Sequence, residues 1–335
     1  MRNDTRRKFH GYTSTVAKIN DVDSAYESFN VTPSVQQVME ERIQQSSSFL
    51  QSVNVQGVDE IKGEKVGLGV GGPIASRTDT TQSERVTRDP TSFDSNTYEC
   101  FQTNFDTHLT YAKLDAWAKS KNFQTMVRDA ILKRCALDRI QIGFNGQSIA
   151  ANTDIVKFPL LQDVNKGWLQ HYREQAPARV LKDGKNAGTI TVGPGGDFEN
   201  LDALVMDAVS GLIDPWHRRD TNLVAILGSD LLHDKYFPMV NKTQAPSEQL
   251  SADIIISKET VGGKAAVQVP FMPDDTIIIT RLDNLSIYYQ EGARRRHFKD
   301  NPARNRIENF ESSNEAYVVE DFGCGCVIQN IKIVR

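Results

Sequence analysis

The chain has 335 residues, 39% of them hydrophobic, and 39 Lys+Arg stand against 43 Asp+Glu for a formal net charge of −4. This length buries a sizeable core and implies two or more domains, while the near-balanced charge excludes a dedicated nucleic-acid binder, which must neutralise many phosphates. No apolar run reaches the ~18 residues that cross a bilayer, and the opening MRNDTRRKFHGY lacks a secretory apolar stretch, so a soluble protein made in a cytoplasm is expected.

Residues 1–20 hold Arg2, Arg6, Arg7, Lys8 and Lys18 against Asp4 alone, on a helical pattern of Phe9, Tyr12, Val16 and Ile19. Thr32-Pro33 then opens a second helix, with a capping side chain before Pro at the first helical position. Its apolar stripe is Val35, Val38, Met39, Ile43, Ser46, Phe49, Leu50 and Val53, so a boundary falls at Asn30 to Thr32. From Val53 to Tyr111 the period becomes two. Val66, Leu68 and Val70 alternate with Gly67, Gly69 and Gly71; later Phe101, Phe105, Leu109 and Tyr111 share one face, with Cys100, Asn104, Asp106 and His108 on the other. The polar stretch from Pro73 to Asn96 separates these runs, which predicts a long two-stranded arm with a polar tip.

A long helix follows, carrying Trp117, Phe123, Met126, Val127, Ala130, Ile131, Cys135, Leu137 and Ile140 and stopped by Asn145-Gly146. A second runs from about Pro159 to Glu174, and a third from Leu201 to Ile213, before Asp214-Pro215. Leu223–Leu227 reads as a buried strand and Ser229 to Val240 as a short helix. Strand-like runs then dominate at Asp253–Ser257, Ala265–Val269, Thr276–Arg281, Leu285–Tyr289, Ala316–Glu320 and Val327–Val334. Arg294-Arg295-Arg296-His297, with Lys299, Arg304 and Arg306, reads as a solvated basic loop between strands. The order of elements gives an α+β fold.

Gly67, Gly69 and Gly72 satisfy the dinucleotide fingerprint G-x-G-x-x-G, but that loop needs a helix behind it whose free N–H groups hold the phosphates. Pro73 and an aperiodic polar stretch follow instead, so the glycines are read as one bare strand face against which another backbone can lie. Cys324-Gly-Cys326 lacks the second ligand pair of a zinc site. The six histidines are far apart, and Glu40-Glu41 and Glu320-Asp321 do not converge on one substrate atom. No cofactor or catalytic set is nominated. What remains is an arm that cannot be stable alone and calls for a partner, such as a second copy of the chain. The alternative on the residues alone is a nucleotide-binding enzyme using Gly67–Gly72.

Several long strings carry a resemblance: IKGEKVGLGV at 61–70, YECFQTNFD at 98–106, LQDVNKGWLQHYREQAPARV at 161–180, DKYFPMVNK at 234–242 and YVVEDF at 317–322. Through them the chain resembles, nearly end to end, the major capsid proteins of tailed bacteriophages of the P-two group, which have the Hong Kong 97-type fold; the alternative within the resemblance is a non-viral encapsulating shell protein of the same fold. The resemblance implies an N-terminal assembly segment at 1–30, an arm helix at 31–52 and an extended loop at 53–112 that lies over a neighbouring subunit. It further implies a peripheral domain with its spine helix at 113–159, an axial domain at 160–285, and a C-terminal return at 286–335, mainly to the peripheral domain. Lys62, Glu64, Lys65, Gly67, Gly69 and Gly71 become candidate inter-subunit contacts. Phe29, Asn30 and Val31 become a candidate proteolytic boundary. The implied partners are other copies in hexamers and pentamers, a scaffolding protein and prohead protease, a portal protein, and packaged DNA held non-specifically.

Overall fold

The computed structural model describes residues 1–65, 69–70, 74–87, 91–92, 97–120, 122–240 and 259–334. The chain opens with helix α1 (Asn3–Ile19) and a two-residue strand β1 (Phe29–Asn30), then α2 (Pro33–Gln45) and α3 (Ser48–Ser52). The single stripe expected over 35–53 is therefore broken at Ser46-Ser47. Serine side chains compete with the helical ladder there: Ser46 Oγ donates to the Ile43 carbonyl, and Ser47 Oγ accepts from Leu50 N–H and caps α3. Val38, placed on that stripe, is 48% exposed. Thr32 does not cap α2; its buried hydroxyl has no partner, and Pro33 alone sets the first turn.

Strands β2 (Asn54–Val58) and β3 (Lys62–Glu64) lead into a hairpin whose described outer rungs are β4 (Gly69–Val70) and β5 (Thr91–Ser92). Strands β6 (Thr97–Glu99), β7 (Phe101–Asn104) and β8 (Thr107–Thr110) return to the body. Cys100, expected on the face opposite Phe101 together with the exposed Asn104, is 4% exposed. Its N–H bonds Ile61 carbonyl at 2.7 Å, which kinks the chain between β6 and β7 and shifts Cys100 out of the β7 alternation.

The long helix is also two: α4 (Tyr111–Trp117) and α5 (Phe123–Asn145), parted where Ser120 Oγ accepts from Asn122 N–H. The helix expected from Pro159 starts only at Trp168, as α6 (Trp168–Gln175). Leu161 takes the left-handed conformation, and Gly167 lies so close to α5 that a Cβ there would sit 2.3 Å from the Ile142 carbonyl oxygen. Strands β9 (Val180–Leu181) and β10 (Ile190–Val192) precede α7 (Leu201–Leu212), which Asn200 caps by accepting from Ala203 N–H as its position before the apolar stripe requires. Then come β11 (Leu223–Leu227), α8 (Ser229–Val240), β12 (Thr260–Val261), β13 (Lys264–Gln268) and β14 (Ile277–Arg281). The strand expected at 253–257 lies outside the described residues. The chain ends with β15 (Leu285–Gln290), β16 (Arg295–Asn301), β17 (Arg306–Val319), β18 (Cys326–Ile328) and β19 (Ile331–Ile333).

Two sheets organise these elements. In the first, β17 pairs β16 and β8 with its first half, β7 near its centre and β15 with its last five residues; β1 adds to β16 and β2 to β15. Helices α1 to α6 pack on it around Trp168, which is fully buried among Phe49, Phe144 and Tyr317 and donates to the Ser286 carbonyl. The second sheet runs β12-β13-β11-β14-β18-β9 and shares a separate core with α7.

Candidate assembly site

Three features stand apart from a self-contained globule: the hairpin, the N-terminal segment and a buried ionic cluster that ties the arm helix to the body. In the hairpin, Lys62 faces Glu99 at one end and Val70 faces Thr91 at the other. Eight positions separate the two rungs on each side, so the described rungs share one register. The hairpin is rooted on its own chain: Tyr98 stacks edge-on against Tyr288 at 5.0 Å and is buried with Val58, Cys100, Ala316 and Val318. Gly63 lies under the Tyr98 ring, where a Cβ would come 2.8 Å from the phenol oxygen.

Of the candidate contact residues, Lys62 pairs loosely with Glu99 at 3.4 Å and stays exposed, as does Glu64. Lys65 is held inward: its ammonium donates to the Val319 carbonyl at 2.5 Å and lies 4.5 Å above the Phe322 ring. Gly69 is in β4, and Gly67 and Gly71 lie outside the described residues. The described residues 74–87 hold one turn and no helix, so no helix N-terminus follows the glycines there.

The N-terminal segment folds onto the body. Phe9 and Tyr12 of α1 meet Phe298 edge-on at 6.2 and 5.9 Å, and Arg296 lies over the same ring while donating to the Tyr12 hydroxyl. Arg6 pairs with Asp300 at 3.5 Å. The candidate boundary residues sit in the sheet edge: Phe29 opposes Arg296, Asn30 opposes Arg295, and Val31 N–H donates to the Arg294 carbonyl at 2.8 Å. Phe29 and Val31 are 7% and 2% exposed, and Asn30 points to solvent.

Of the stretch read as a solvated basic loop, Arg304 does lie in an exposed turn and Arg306 opens β17, but Arg295 to Lys299, with Arg294 just before them, belong to strand β16. Its alternation turns Arg294, Arg296 and Phe298 inward and leaves Arg295 and Lys299 outside. Burial is possible because carboxylates meet these arginines. Glu40 of α2 binds Arg294 Nη1 at 2.6 Å through one oxygen and Arg139 Nη1 of α5 at 2.5 Å through the other. Arg139 also binds Glu315, Arg294 binds Glu311, and Arg296 lies 3.5 Å from Glu311. Three arginines and three glutamates are thus matched in charge, and none is more than 8% exposed. Burial alone would raise the Glu40 and Glu311 carboxyls, but the neighbouring guanidiniums hold both below the usual range, Glu311 at about 2. The same carboxylates raise Arg139 and Arg294 against the opposing effect of burial.

All four cysteines are free and buried, with burial pushing the Cys100, Cys135 and Cys326 thiols up to about 12, opposite to an activated nucleophile. His217 meets Asp321 at 3.1 Å, and the nearby Cys324 thiol is pushed up to about 11 by burial. Among the described residues no three His, Cys, Asp or Glu side chains could hold a metal ion, and no helix is long and apolar enough to cross a membrane.

A two-sheet α+β body, a long helix along one sheet and a hairpin leaving it define the class: shell-forming capsid proteins of the Hong Kong 97 type. The chain matches the family described as phage major capsid protein, P2 family, over residues 8–331. It is 49% identical to the capsid protein of Escherichia phage P2, covering 99% of this chain and 96% of that one, and 39% identical to the major capsid protein of Serratia phage KSP20, covering 100% and 99%. A chain in the solved satellite phage P4 procapsid, a structure that includes the size determination (Sid) protein, is 47% identical with a TM-score of 0.83, covering 100% of this chain and 99% of that one. The chain therefore belongs to the P2 family of phage major capsid proteins. It is a shell-forming component of the virion capsid.

Proposed function

We propose that this capsid protein assembles as hexamers and pentamers of an icosahedral shell around double-stranded DNA, with residues 53–112 lying over an adjacent copy. The observation that carries this reading is the hairpin, a two-stranded ribbon whose described rungs keep one register while residues 74–87 stay almost wholly exposed. Such a ribbon has too little core to be stable alone. In this arrangement 113–159 form the peripheral domain with α5 as its spine and 160–285 the axial domain, while 286–335 return mainly to the peripheral domain. Its role is structural and not enzymatic. Assembly takes place in the host bacterial cytoplasm with a scaffolding protein, a prohead protease and a portal protein, and DNA is contacted without sequence preference, as the near-balanced charge suits.

Residues 1–30 act in assembly and are then removed by the protease at Phe29, Asn30 or Val31. Mass spectrometry of DNA-filled particles checks this: loss of the 1–30 peptide is expected, and its intact retention would sink the processing step. Electron microscopy of the purified protein with its scaffold tests the shell reading, which a stable monodisperse monomer would contradict.

A further inference from the structure

The candidate boundary is closed to a protease in the free subunit. Proteolytic clefts take a substrate as an extended strand, bonding its main chain and receiving alternate side chains in pockets. Here the main chain of 29–31 is already bonded to β16, and the alternate side chains Phe29 and Val31 are buried in the core. Flanking bonds extend the closure: Phe298 N–H donates to the Ala25 carbonyl at 3.0 Å, and Thr32 N–H to Asn20 Oδ1 at 3.1 Å. Two residues of strand pairing cannot hold such a segment. The larger contact is α1, whose Phe9, Tyr12, Val16 and Ala17 are all buried against the body.

We propose that residues 1–31 form a latch, in which the docking of α1 keeps β1 in the sheet edge and seals the 29–31 bonds until α1 lifts from the body. This rests on the reading that the boundary is processed, and it adds what controls the cut. Once α1 is displaced, β1 peels away and a protease hydrolyses the bond, adding one water to leave a carboxylate on the released peptide and an ammonium on the new first residue. Cleavage then reports that the N-terminal segment has moved.

The test uses the full-length, unassembled chain and thermolysin, which cuts before bulky apolar residues. Exposed residues 74–87, with Ile74 and Val86 open to solvent, serve as an internal reference. Cutting at 28–31 should be at least tenfold slower than at 74–87, and Phe9→Ala with Tyr12→Ala should speed it at least tenfold without changing the reference rate. Wild-type cutting as fast as that of a synthetic 24–36 peptide overturns the latch, as does an unaltered rate in the variant. Hydrogen exchange on the wild-type chain avoids any folding defect of the variant. The Val31 and Phe298 amides should open together with α1 and before β17; a Val31 amide exchanging at the free-peptide rate overturns the proposal. Particles that retain residues 1–30 would remove the processing step and leave the thermolysin result standing.

Discussion

Glu40→Gln removes one charge and almost no volume from the buried cluster. Three arginines would then face Glu311 and Glu315 alone, leaving one positive charge uncompensated among side chains that are at most 8% exposed. Removing one partner of a buried pair costs about 3–5 kcal/mol, because the remaining charge keeps its desolvation penalty. Against a domain stability of about 5–15 kcal/mol this is a large fraction. At a urea slope of about 3 kcal/mol per M the unfolding midpoint should fall by about 1–1.7 M. The assay is urea unfolding of the unassembled chain, followed by tryptophan fluorescence because Trp168 is central to the same core. Arg294→Met combined with Glu40→Gln should restore part of the loss, as expected where two residues share one network. A midpoint shift below about 0.2 M for Glu40→Gln would refute the reasoning, since the cluster would then contribute no net fixation of α2.

Acid should unlock the same cluster. The Glu40 and Glu311 carboxyls are depressed in the folded state, so their stabilisation is complete above the ordinary carboxyl range near pH 4.5 and is lost as pH falls toward about 2 for Glu311. The urea midpoint should be flat from pH 7 to 5 and drop below it, less steeply in Glu40→Gln; a flat profile down to pH 3 contradicts this. Gly69→Val, in the outer hairpin rung, should cut the yield of closed shells several-fold while circular dichroism and the unfolding midpoint stay unchanged. Normal shell yield would show that the bare strand face has no role in close packing.

Legibility in the sequence followed the range of the interactions. Helix α7 and strand β11 are legible because their apolar periods are complete within the element. The hairpin showed as a change of period at Val53, but its rooting by Tyr98 on Tyr288 joins positions far apart in the chain. Breaks at Ser46-Ser47 and Ser120 do not show in the apolar period because serine side chains bonding the local backbone override an otherwise continuous stripe. The ionic cluster was least legible. Four consecutive basic residues read as solvated, and their carboxylates come from α2 and β17. One signal was present: Arg294 and Arg296 share a period of two with Phe298, and Glu311 and Glu315 keep the same period in β17. Complementary charges on two apolar strand faces mark a buried ionic pair more specifically than a count of basic residues does.

The most direct measurement is electron cryo-microscopy of particles assembled from this protein with its scaffold, at a resolution that traces main chain. The expected image is a closed icosahedral shell of hexamers and pentamers in which the 62–99 ribbon crosses onto the adjacent copy, its Gly69 rung in backbone contact with that copy. A ribbon folded back wholly onto its own subunit, or a protein that remains monomeric, would contradict it.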